Sequence, residues 1–228
     1  MYLVRLGFRD YQEAYGLQLA LVEARAAGRC PDVLLLVEHP PVITIGRAGG
    51  RDHLLVPVPT LQKAGIQLVP IDRGGNITYH GPGQLVGYPI MDLRERDRDL
   101  HLLLRNYEEV FIRVLAGYDL KGQRQEGLTG VWIGDDKILA IGVGVKRWIS
   151  YHGFAFNIDP ALEHFSYIHP CGLIDKGVTS LARLLGRPVD VQGVEERVIE
   201  SFRQVFQVNL QPVDLTELEK EAGLELSR

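Results

Sequence analysis

Cysteine is scarce in this chain: Cys30 and Cys171 are the only two among 228 residues, far apart and with no CxxC pair. A disulfide framework or a structural zinc site needs closely spaced thiols, so both are excluded, and free thiols in a reducing cytoplasm are expected. Positive charge is also in short supply. Lys and Arg number 25 against 29 Asp and Glu, a formal net charge of −4, which argues against a general nucleic-acid binder, since phosphate contacts need concentrated basic residues. No apolar run approaches the roughly 18 residues that span a bilayer. Met1-Tyr2-Leu3-Val4-Arg5 leads straight into a strand pattern, without the regions of a signal peptide. The composition is 46% hydrophobic and 24% charged, the make-up of a soluble globular protein with a full core.

Periodicity divides the chain into alternating elements. Tyr2 to Phe8 reads as a strand, and Asp10 with Glu13 opens a helix through about Ala27, whose apolar positions Tyr11, Ala14, Leu17, Leu21 and Ala24 share one face. The β-branched, apolar run from Asp32 to Glu38 reads as a strand buried on both faces, and Val42 to Ile45 as another. Strands are also expected at Gln67 to Val69, Gln84 to Met91, Thr129 to Ile133, Ile138 to Val145 and Gly153 to Ile158. A turn at Gly134-Asp135-Asp136-Lys137 would put Lys137 at the exit of a hairpin. Helices follow from the stripe Leu100, Leu103, Leu104, Tyr107, Val110, Phe111 and Val114, from Ser180 to Leu185, from the stripe Val194 to Phe206, and from Asp214 onward. This is a single α+β domain over 1–228, in which about 190–228 reads as a peripheral C-terminal helical appendage.

Three segments carry chemistry. The stretch from Arg73 to Gln84 contains Gly74-Gly75 and Gly81-Pro82-Gly83, with His80 between the two bends. Glycine permits close ligand approach, but the spacing is neither that of a dinucleotide fingerprint nor that of a P-loop. Taken alone it reads as a tight loop with a satisfied histidine. Cys171 lies between Pro170 and Gly172, a shaped-loop context, whereas Cys30 reads as a buried small hydrophobe. Lys137 alone reads as a solvated turn lysine. The spacings of His80, His152 and His169 match no metal-ligand pattern.

The full string is more specific than its parts. Arg73-Gly74-Gly75, Thr78-Tyr79-His80, Gly83-Gln84 and Tyr88 resemble the signature of the lipoate-protein octanoyltransferases. Glu38-His39-Pro40-Pro41, Ile45-Gly46-Arg47, Gly130-Val131-Trp132, Lys137 to Gly142, His152 to Asn157 and Pro170-Cys171-Gly172 are similar to the same family, in family order. His169 and Leu139 are small departures that touch no reactive atom.

The resemblance implies a biotin/lipoate protein ligase-like fold, with mixed β-sheets flanked by helices. It implies a Cys171/Lys137 dyad and a substrate pocket formed by Arg73, Gly74, Gly75, Asn76, Ile77, Thr78, Tyr79, His80, Ala140, Ile141, Gly142, Gly153, Phe154 and Ala155. It implies no metal and no cofactor. The implied reaction moves an octanoyl or lipoyl group from acyl carrier protein, through an acyl-Cys171 thioester, to a lysine ε-amine. The acceptors would be lipoyl domains of the E2 subunits of 2-oxoacid dehydrogenases and the glycine cleavage H protein. No nucleic acid or membrane partner is implied. In this reading His80 shapes the pocket near the reacting carbonyl. Because carrier proteins of this kind are acidic, Arg94, Arg96, Arg98, Lys146 and Arg147 are candidates for a basic docking patch. Two other readings stay open: an ATP-dependent lipoate or biotin-type ligase on the same fold, and a non-enzymatic acyl-binding module.

Overall fold

A computed structural model describes residues 1–96, 98–169 and 176–224. In chain order the elements are β1 (Tyr2–Phe8), α1 (Tyr11–Ala26), β2 (Val33–Glu38), β3 (Val42–Ile45), α2 (Val58–Lys63), β4 (Gln67–Pro70), β5 (Ile77–His80), β6 (Gln84–Ile90), α3 (Leu100–Ala116), β7 (Gln123–Gln125), β8 (Leu128–Ile133), β9 (Asp136–Lys146), β10 (Ile149–Asn157), β11 (Gly177–Val178), α4 (Leu181–Leu185), α5 (Val191–Phe206), β12 (Gln211–Pro212) and α6 (Leu215–Ala222). The large sheet has the order β12-β1-β2-β6-β10-β9-β8-β7, with β11 alongside β9, and a small sheet has the order β4-β3-β5. Parallel pairing joins β1 to β2 and β12, and antiparallel pairing runs from β2 through β6, β10 and β9 to β8. The mixed sheets flanked by helices agree with the fold expected from the sequence.

Each face of the large sheet has its own core. Val33, Leu35, Val37, Val86, Tyr88 and Ala155 point to α1 and α6, while Leu34, Leu36, Leu85, Leu139, Phe154 and Phe156 point to α3 and α5. That alternation explains why β2 reads as a continuous apolar run: neither face is solvated. Asp10 accepts from the backbone N–H groups of Gln12 and Glu13 and so opens α1. Asp214 sits at the same position of α6 without a side-chain cap bond. The C-terminal stretch supplies Val194, Val198, Ile199 and Phe202 to one core and Leu218 and Ala222 to the other, and β12 pairs with β1.

Two differences from the sequence reading matter for the site. Ile133 pairs with Asp136, so the hairpin loop is only Gly134-Asp135, and Lys137 lies within β9 opposite Trp132. β10 also begins earlier than expected. Arg147 and Trp148, both at positive φ (53° and 65°), turn β9 directly into it.

The start of β8 is fixed by a carboxylate. Glu108 of α3 is buried, and its Oε1 accepts from Gly130 N–H at 3.0 Å while its Oε2 accepts from Arg105 and Arg124 at 2.7 and 3.1 Å. Gly130 has φ +124°, and a Cβ there would lie 2.4 Å from the Leu139 carbonyl oxygen and 3.4 Å from Lys137 Cε. Glu108→Ala is expected to cost about 1–3 kcal/mol, read as a lowered urea midpoint, because it orphans the buried Gly130 N–H. Arg105→Ala, at a half-exposed partner, should cost less than about 1 kcal/mol.

Candidate active site

The cavity arises where large side chains give way to small ones. On the α1 side of the large sheet, Ala140 pairs with Ala155 and Gly142 with Gly153 across β9 and β10. The segment leading into β5 lies over this depression. Gly74 N–H donates to the Val143 carbonyl at 3.0 Å. A Cβ on Gly142 would sit 3.0 Å from both Arg73 Cδ and the Gly74 carbonyl, so the crossing requires glycine. The result is a small, partly open cavity with a mostly apolar wall.

Arg73, Gly75, Asn76, Ile77, Thr78, His80, Ala140, Ile141, Gly142, Gly153, Phe154 and Ala155 line it, together with Tyr11, Val86, Tyr88 and His152. Gly74 and Tyr79, grouped with these residues at the sequence level, do not. Strand alternation sends Tyr79 to the opposite side of β5, where its ring packs on Phe165 and its hydroxyl meets His164 Nδ1 at 2.8 Å. Lys137 is buried beside the cavity rather than in its wall. It lies three residues before Ala140, about 10 Å along the strand, with its ammonium 4.7 Å from the Trp132 ring centroid. Cys171 lies outside the described residues. Of its flanks, His169 N–H donates to the His53 carbonyl, and Gly177 and Val178 pair with Asp136 and Lys137.

Buried polar groups fix the cavity wall. Arg73 donates from Nη2 to the Thr44 carbonyl and hydroxyl, both at 2.9 Å, and from Nη1 to the Gly74 carbonyl at 3.0 Å, which ties β3 to the segment before β5. His39 Nδ1 donates to the Arg9 carbonyl at 2.7 Å, so its Nε2 accepts from the Tyr88 hydroxyl at 2.7 Å. Asp72 accepts from the hydroxyls of Tyr15 and Tyr151 at 2.9 and 2.6 Å and from His152 Nε2 at 3.0 Å. Burial alone would raise the Asp72 pKa, but these three donors outweigh it and hold the carboxyl at about 2. The positive φ of His152, 56°, interrupts the alternation of β10. Tyr151 and His152 therefore both reach Asp72. Tyr11, Tyr15, Asp72 and Val86 carry no glycine or motif signal of their own, and sequence reasoning passed over them.

Four of the five candidate docking cations pair with carboxylates at the surface. Arg94 is paired with Asp92, Arg96 with Asp32, and Lys146 and Arg147 with Glu23, while Arg98 lies over the Trp148 ring. Lys146 and Arg147 also stand at the far end of β9 from Lys137, on the order of 30 Å along the strand. Among the described residues, no helix is long and apolar enough to cross a membrane.

Two wall imidazoles stay neutral at physiological pH. Burial is the main cause, taking His80 down to about 3, and His152 down to about 4 despite its Asp72 partner. Unfolded histidines titrate near pH ~6.5. Between that value and the folded pKa, only the unfolded chain binds the protons, so stability is complete above about pH 6.5 and declines as pH falls toward 4. Urea unfolding at pH 7.5 and pH 5 should differ by about 2–4 kcal/mol, and a His152→Phe variant should show a shallower dependence.

Residues 10–203 match the family model for the lipoyl protein ligase A/B catalytic domain. The octanoyltransferase of Desulforamulus reducens is 42% identical over 226 residues, covering 99% of each chain. That of Caldicellulosiruptor bescii is 50% identical over 203 residues, 88% of this chain and 89% of its own. Among solved structures, lipoate-protein ligase A bound with ATP aligns with a TM-score of 0.79 at 16% identity, covering 97% of this chain and 91% of that one. The Aquifex aeolicus biotin protein ligase with biotin and ATP aligns at 0.54 and 13% identity, covering 90% of this chain and 70% of that one. At such identities these two structures speak to the fold alone. The full-length sequence matches, with the matching family model, show that this chain belongs to the lipoyl protein ligase A/B catalytic-domain family.

Proposed function

We propose that this chain is an acyltransferase that moves an octanoyl group from acyl carrier protein to the ε-amine of a specific lysine on a lipoyl domain. Near full-length identity to octanoyltransferases supports transfer from a carrier over ATP-dependent ligation. The acceptors would be the lipoyl domains of 2-oxoacid dehydrogenase E2 subunits and the glycine cleavage H protein.

In the reaction we infer, the Cys171 thiolate attacks the carrier thioester. A new C–S bond forms to Cys171, the carrier C–S bond breaks, and the carrier thiol leaves with a proton. The acceptor amine then attacks the acyl-Cys171 carbonyl, a C–N bond forms, and the Cys171 thiol is released. Lys137 manages the proton in both halves. A thioester is exchanged for a better resonance-stabilised amide, so the transfer runs forward without ATP. The apolar, glycine- and alanine-walled cavity suits the acyl chain.

One observation carries this reading: the pairing of Val178 with Lys137. It supports the dyad, because Cys171 stands seven residues before Val178 in the sequence and the chain returns alongside a buried amine. A buried lysine beside a thiol favours the thiolate as ammonium, or accepts a proton as neutral amine.

Intact mass spectrometry tests the proposal. Mixing with octanoyl-carrier protein, without ATP, should add one octanoyl group, and Cys171→Ser should abolish the thioester adduct. Lys137→Ala should slow adduct formation by about 10²–10⁴-fold, the range for loss of a general base, with unchanged circular dichroism. Product obtained only from free octanoate with Mg-ATP would establish the ligase reading instead.

A further inference from the structure

A chain of hydrogen bonds anchored on backbone carbonyls determines which ring nitrogen of His80 carries its proton. Asn157 Nδ2 donates to the Thr179 carbonyl at 3.0 Å, which leaves Asn157 Oδ1 to accept from Gln84 Nε2 at 2.9 Å. Gln84 Nε2 also donates to the Tyr79 carbonyl at 3.2 Å. Each amide orientation is therefore set by a group that can only accept. Gln84 Oε1 faces His80 Nδ1 at 3.1 Å, so Nδ1 is the protonated nitrogen. Nε2 keeps its lone pair. The ring lines the cavity, and Nε2 has no hydrogen-bond partner among the described residues.

His152 shows the same polarity from the other side. Its Nε2–H is committed to Asp72, and its buried Nδ1 has no partner among the described residues. Both imidazoles line the cavity, and on each the nitrogen without a partner among the described residues carries a lone pair and no proton. A carbonyl oxygen, or the oxyanion derived from it, has no hydrogen to give such a group. His80 in this tautomer meets a partner as an acceptor and not as a donor.

The substrate partner must bring a hydrogen. Within the acyl-transfer reading, on which this inference rests, a thiol has one hydrogen, and the proton-transfer lysine accounts for it. An attacking primary amine has two. One proton leaves, and the other remains as the N–H of the product amide. Once taken out of water, that second N–H needs an acceptor. We propose that His80 Nε2 accepts the retained N–H of the acceptor lysine's ε-amine and so aims the nitrogen lone pair at the acyl carbon. The very weak basicity of the buried ring suits this role, because it accepts the hydrogen bond without taking the proton. Thr179 N–H donates to the Lys137 carbonyl at 3.0 Å. The strand carrying Lys137 and the ring of His80 are thus held through one continuous set of bonds.

The test separates the two halves of the reaction. Octanoyl-carrier protein is mixed with enzyme, and the adduct is followed by intact mass; a lipoyl domain is then added, and discharge is timed in a single turnover. His80→Phe keeps a ring to stack on Tyr11 but removes the acceptor. Discharge should slow about 10- to 100-fold more than adduct formation does. A second variant, His80→Asn, keeps a side chain that can accept a hydrogen bond and should discharge faster than His80→Phe. Equal slowing of both halves by His80→Phe, or unchanged discharge, would overturn the inference while leaving the acyl-transfer reading intact. Absence of any adduct on the wild-type enzyme would overturn both.

Discussion

A buried guanidinium holds the site together. Arg73 reaches from the segment before β5 to the Thr44 backbone and hydroxyl on β3, and it lies against Gly142 on the large sheet. Burying a charge is expensive unless its donors are satisfied, and Thr44 and the Gly74 carbonyl satisfy several of them. The small sheet and the large sheet thereby meet at a defined angle over Ala140, Gly142, Gly153 and Ala155. The cavity is the space this crossing leaves.

The electrostatic character of that space follows from the burial of its polar wall. Three imidazoles sit in or beside it, and each is kept neutral by burial, yet each has one nitrogen pinned by a protein partner: a backbone carbonyl for His39, an amide for His80, a carboxylate for His152. The pinned nitrogen sets the tautomer, and the tautomer sets what the other nitrogen offers. Asp72 remains ionised in this setting because three donors converge on it. The polar wall is therefore already oriented before any ligand enters, which is the condition under which electrostatics favours a transition state over a ground state.

Much of this was legible in the sequence. The helix stripes of α1, α3 and α5 and the continuous run of β2 were readable because burial imposes period on composition, and the glycine-rich segment announced the cavity wall. The unread parts share a different cause. The β9–β10 hairpin turns on Arg147-Trp148, where a turn of this kind ordinarily advertises itself with Asn-Gly. The left-handed conformation of His152 likewise has no sequence signal. Asp72 comes from the segment before β5 and Tyr11 and Tyr15 from α1, and they acquire meaning only once α1 is laid across β10. Tyr79 belongs to the motif but not to the cavity wall, because strand geometry divides the motif's side chains between two faces.

The facing pairs Ala140–Ala155 and Gly142–Gly153 have a further meaning for how such a protein can diversify. Alternate rungs of a ladder share one face, so the width of the cavity is gauged by the methyl groups of one rung and their absence from the next but one. Swapping bulk between partners across the rung would retailor the fit to a thicker or slimmer guest while the strands, the arginine clamp and the pinned rings stay where they are. Substrate range in this architecture is thus separable from its machinery for handling protons.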